Sequence, residues 1–169
     1  MFLRTLISTV LTVGIIESST VQAQTYRLPI SGNPALVVNV PTGWSAHLNQ
    51  FGNLAIRSGN NNCAIQLAMV SDPRVETTST SEIAANFFKY AGALPYTRTE
   101  PGMIGNFPGE AFVGSLTNDK GIVLQMRVVI VRLDKSHYAS LGTLIWPSIT
   151  PRQQADLSKL CGRITIAVR

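Results

Sequence analysis

EAFVGSLTNDKGIVLQMRVVIVRLDKSHYASLGTLIW, residues Glu110–Trp146, is the stretch that decides the fold. Three runs in it, Glu110 to Leu116, Ile122 to Leu133 and His137 to Trp146, are dense in β-branched and apolar residues, the composition of strands. The links between them, Thr117-Asn118-Asp119-Lys120-Gly121 and Asp134-Lys135-Ser136, are short and built from turn formers. Short links join antiparallel neighbours, so the stretch predicts two successive hairpins. In the middle run Ile122, Leu124, Met126, Val128 and Ile130 share one face. The other face carries Val123, Gln125, Arg127, Val129 and Val131, a mixture that predicts a side partly wet or covered by a helix.

Upstream, Leu36 to Val40 reads as a strand stopped by Pro41-Thr42-Gly43. Trp44 to Leu48 alternates weakly, Asn49 to Asn53 is turn-like, and Leu54 to Arg57 is a further short strand. A turn over Ser58 to Asn62 leads into Cys63 to Val70, where Cys63, Ile65, Leu67 and Met69 share a face. Ser79 to Leu94 has helical periodicity, with Ser79 and Glu82 at capping-box spacing and Ile83, Phe87, Tyr90, Ala91 and Leu94 in one stripe. Gly92 and Pro95 close it. Thr97 to Gly109 holds Pro101, Gly102, Gly105, Pro108 and Gly109 and reads as an irregular loop. Thr150-Pro151-Arg152-Gln153 opens a last helix, with Thr150 as N-cap, Pro151 at the first helical position and Leu157, Leu160, Cys161 and Ile164 as the apolar stripe. The order of strands, helix, strands, helix predicts an α+β domain, an antiparallel sheet flanked by helices.

The first residues read differently. Met1 to Thr5 carries one positive charge, Leu6 to Ile16 is apolar and too short to span a bilayer, and Val21-Gln22-Ala23 offers small side chains before a cut. Residues 1–23 are therefore expected to be a signal peptide and 24–169 a single domain, periplasmic or secreted and not transmembrane after processing. Cys63 and Cys161 are the two cysteines; an oxidising compartment predicts a disulfide between them, two buried free thiols being the alternative.

Pro41-Thr42-Gly43-Trp44, directly after a strand, resembles the Pro-x-Gly-Trp turn of the PsbP-like family, which includes DcrB-like periplasmic proteins. The element order from Leu36 to Ile166 is similar as well. The resemblance implies an αβα sandwich serving as an accessory or binding module without catalysis, with Trp44 buried beneath the sheet. The cysteine pair departs from the family's pattern, and no ligand motif accompanies the turn.

Net charge is +5 without a dense Lys/Arg tract, which disfavours nucleic acid and favours a protein or an anionic envelope component as partner. No nucleophile elbow, metal-ligand spacing or phosphate loop is present, so no catalytic residue, metal or cofactor is expected. Glu100 and Glu110 flank the Gly/Pro stretch and are the only acids placed to converge as a hydrolytic pair. His47 and His137 stand near turns with no paired nucleophile, and Trp44 and Trp146 read as packing or as an aromatic platform. The stretch from Thr97 to Gly109 is the candidate binding loop. Its Met103, Ile104 and Phe107 either await a partner or plug the core, and Arg127 on the mixed sheet face joins them as a candidate. The expected function is an exported, non-enzymatic accessory or binding protein. An immunity-type inhibitor of a periplasmic toxin and a small hydrolase using Glu100 or Glu110 are the alternatives.

Overall fold

A computed structural model of the chain describes residues 23–168. Apart from Ala23, the expected signal peptide lies outside the described residues. Ten strands form two antiparallel sheets. The smaller pairs β1 (Gln24–Leu28) with β2 (Ala35–Val40) and β2 with β10 (Thr165–Ala167). The larger has seven strands: β3 (Trp44–Leu48), β4 (Leu54–Ser58), β5 (Cys63–Ser71), β6 (Arg98–Ile104), β7 (Phe107–Thr117), β8 (Val123–Arg132) and β9 (His137–Ile145). Their spatial order is β3-β4-β5-β9-β8-β7-β6. The three runs of the deciding stretch are thus neighbours, β7 beside β8 and β8 beside β9.

Each helix begins where its cap dictates. The Ser79 hydroxyl accepts the Glu82 N–H and starts α1 (Thr80–Tyr90). Thr150 and Gln153 bond reciprocally at the start of α2 (Pro151–Cys161), which has Pro151 in its first turn. Helix α1 is shorter than its periodicity predicts. Gly92, at φ +69°, turns the chain away, and Leu94 beyond it is exposed.

The large sheet separates two apolar cores. On one face Ile83, Ala84, Phe87 and Phe88 of α1 pack on Phe112, Met126, Val128 and Ile130. On the other, Leu157 and Leu160 of α2 join the small sheet's Leu36, Val38 and Ile166 over Cys63, Ile65, Leu67, Val129, Val131 and Leu141. The mixed face of β8 is therefore covered at Val129 and Val131 and exposed at Gln125. Trp44, 8 % exposed, lies in this second core, as the resemblance implies.

The Gly/Pro stretch is not a loop. Arg98–Ile104 and Phe107–Thr117 pair in register from Arg98↔Val113 to Ile104↔Phe107, a hairpin closed by Gly105 and Asn106. Strand β6 is the sheet's edge, the place where a strand tolerates proline. No bond joins the two cysteines in this structure, where Cys63 is buried and Cys161 half-buried.

Candidate functional site

Helix α1 packs chiefly on β7 and β8 and leaves much of the β4–β5–β9 part of the same face open. Small residues line much of it, Ala55 on β4, Ala64 on β5 and Gly142 on β9, with Gln66 in register between Ala55 and Gly142 and Arg57 opposite Ala64. The small side chains leave the step between sheet and helix unfilled, so a shallow groove, open to solvent, runs along it. Leu116, Met126, Val128 and Leu144 complete its floor, and Phe87 and Ala91 of α1 form one wall. Gly142 marks the space left. A Cβ placed there would lie 3.8 Å from the Gln66 carbonyl oxygen and 3.9 Å from the Gln66 Cβ, ordinary contact distances.

The groove continues into a second cavity, which shares Arg57, Ala64, Leu116 and Leu144 with it. This end is polar, with Asn61, Asn118, Asp119 and Lys120 from the β4–β5 and β7–β8 turns, and Trp146 beside them. The Asn118 side chain shapes the turn by accepting the N–H groups of Lys120 and Ile122.

The residues singled out from sequence do not gather here. Ile104, 1 % exposed, belongs to the core under α2, and Phe107 packs against that core, so the plug reading is the one realised. Met103 alone of the three is open, at 58 %. Arg127 donates to Glu100 at 3.1 Å, and Arg98 lies 3.1 Å from the same carboxylate. Glu100 and Glu110 cannot act as an acid pair. Glu100 stands opposite Ala111 and Glu110 opposite Pro101, so the two point to opposite sheet faces, and Glu110 accepts from the Thr80 hydroxyl on the α1 side.

His137 is close to Asp134 and Ser136 and is still no triad. The Asp134 carboxylate and the Ser136 hydroxyl both reach Nδ1, at 2.9 and 3.0 Å, whereas a triad needs the hydroxyl on the other ring nitrogen. Asp134 caps the β8–β9 turn. The N–H groups of Ser136 and His137 and the His137 ring hold its carboxyl down at about 2. His47 is exposed. Among the described residues no three His, Cys, Asp or Glu side chains cluster as metal ligands.

Burial raises the pKa of both thiols, that of Cys161 to about 11. Cys63 adds to the rise at Cys161 and Arg127 opposes it, so the three lie within electrostatic reach.

Two sheets with a helix over each face of the larger define a sheet-dominated α+β fold. Solved structures of other proteins are similar to it. One, from Bacteroides thetaiotaomicron, has a TM-score of 0.51 and 7% identity over 78% of this chain. The chain spans only 45% of that protein's length. LpqN of Mycobacterium tuberculosis, described as involved in cell envelope biogenesis, gives 0.49 with 14% identity over 85% of this chain and 91% of its own. The Ran-binding protein Mog1p of Saccharomyces cerevisiae gives 0.46 with 11% identity over 82% and 84%. No family profile and no curated protein matches the sequence. At these identities the likeness extends to the fold alone.

The groove residues escaped the sequence reading because small residues facing away from a core stripe look like filler. The available signal was their coincidence: Ala55, Ala64, Ala68 and Gly142 on one face, beside a helix too short to cover it.

Proposed function

We propose that the protein is an exported, non-enzymatic binding protein of the envelope that holds its ligand in the groove beside α1. The observation that carries this reading is the open, mostly apolar floor of Ala55, Gly142 and Leu144, half-buried yet reachable, with the buried Ala64 beside them. Concave apolar surface of this kind, edged by a few polar groups, is the usual form of a ligand site. The signal-peptide pattern of residues 1–23 supports export, and the net charge of +5 supports a partner with anionic character. The PsbP-like αβα sandwich is the finer fold reading, and a role through contacts rather than chemistry suits it.

Gly142→Leu tests the proposal. Its Cβ meets only ordinary contacts, and Gly142 lines the groove, so a larger side chain there takes up groove space. The melting temperature should stay within a few degrees of wild type, as for surface changes worth under about 0.5 kcal/mol. Affinity capture from the native envelope, with lipid and protein mass spectrometry, should recover a component with wild type and lose it with the variant. Equal recovery by both would remove the groove from the function.

A further inference from the structure

We infer that the groove's ligand is a single-chain anionic amphiphile, a fatty-acid-like molecule with its chain along the groove and its head at the polar end. This rests on the groove being the binding site. Polarity changes in one direction along the track. Between Phe87 and Ala91 on one side and Ala55 on the other the lining is mostly apolar, with Gln66 as the polar side chain of its middle; past Arg57, Leu116 and Leu144, which both cavities share, the walls become Asn61, Asn118, Lys120 and Trp146. An apolar peptide segment would leave backbone amides against a floor that offers few hydrogen-bonding groups, whereas a hydrocarbon chain needs none. The head end has charge to offer. Arg57 and Lys120 are cationic and Asp119 anionic, leaving one net positive charge at that end. Lys120 has no ion pair among the described residues. The rim matches this chemistry, since the exposed Ile122 lies two residues past Lys120 and offers apolar contact next to a cation.

Trp146 lines the head end and Trp44 is buried in the other core, so indole emission that changes on binding reports the track. Decanoate, below its micelle-forming concentration, should shift the emission saturably, and Trp146→Phe should abolish the shift. Gly142→Leu should weaken decanoate at least tenfold, equivalent to about 1.4 kcal/mol or two buried methylenes. Ala55→Leu is the second groove-filling variant, used if the first fails to fold, with the same loss expected. Lys120→Glu should weaken decanoate about threefold to tenfold at low salt, fading as salt is added, and leave decanol binding unchanged. Equal binding of decanoate and decanol, untouched by Lys120→Glu, would overturn the anionic head. No binding of decanoate, or full binding by both filled variants, would overturn the amphiphile. If envelope capture is still lost in Gly142→Leu, the groove remains the site and only the ligand class is wrong. If capture is also unaffected, both readings fall.

Discussion

Tyr138 on β9 is 3 % exposed, and its hydroxyl has no hydrogen-bond partner among the described residues. Burial, helped by the negative charge of Asp72, pushes its pKa up to about 12 from the ordinary 10.0. The folded chain therefore holds this proton more tightly than the unfolded chain. The resulting stability is complete below about pH 10 and is lost as pH climbs through about 12. Cys161, raised from 9.0 to about 11 chiefly by burial, adds a loss of the same sign that starts nearer pH 9. Tyr138→Phe removes the buried polar atom and the titration together. It should leave stability at pH 7 equal or up to about 1 kcal/mol higher, because an unpaired buried hydroxyl is a cost. It should also flatten the decline between pH 10 and 12, read from denaturant melts across that range. A loss above about 1 kcal/mol at pH 7 would mean that the hydroxyl is bonded after all. Trp44 gives the opposite expectation. It fills the core beneath the sheet, and Trp44→Ala should cost about 3–5 kcal/mol.

The hairpin of β6 and β7 shows why local signals misled over Thr97–Gly109. Five Pro and Gly residues in that stretch mark a loop by composition, but four have a place in the strand pair and Gly105 lies in its tight turn. Pro101 lies on the edge strand, where a missing N–H can face solvent. Gly109 is required by close approach: a Cβ there would stand 2.2 Å from the Ile130 carbonyl oxygen. Helix starts were legible because a cap is a contact between residues three apart, as at Ser79 and Thr150. Strand β10 was missed for the converse reason. Thr165-Ile166-Ala167 is a strand only because β2, far upstream in sequence, presents Ala35–Val37 to it. Pairing at such separation leaves no periodicity in so short a run. If β6–β7 is a core element rather than a binding loop, Ile104→Ala should destabilise by about 2–4 kcal/mol, the range for a fully buried aliphatic. Gly109→Ala should destabilise also, since the neighbouring backbone must move. Denaturant midpoints measure both, and a wild-type midpoint for Ile104→Ala would return the hairpin to the list of possible binding surfaces.

At the scale of the whole molecule, the two faces of the large sheet are covered unequally. Helix α2 and the small sheet together cover one face, while α1 and the 3-10 turn at Pro73–Glu76 cover only part of the other and leave the groove. The same asymmetry brings Cys63 at the start of β5 and Cys161 at the end of α2 onto the well-covered face. The shared face was legible from the apolar stripe of α2 and the alternation of β5; the state of the sulfurs was not, because face-sharing fixes neither distance nor geometry. As free thiols both are raised by burial, so little thiolate, the reactive form, exists near neutrality. Alkylation of the native protein at pH 7 should therefore be slow at both positions. Denaturation without reductant should release two reactive thiols. In the native state the rate at Cys161 should rise with pH up to about 11, following its thiolate. Absence of any thiol after denaturation would establish a bridge in the mature protein. Rapid native labelling of Cys161 at neutral pH would show instead that the end of α2 lifts from the sheet and that this face is less firmly closed than its packing implies.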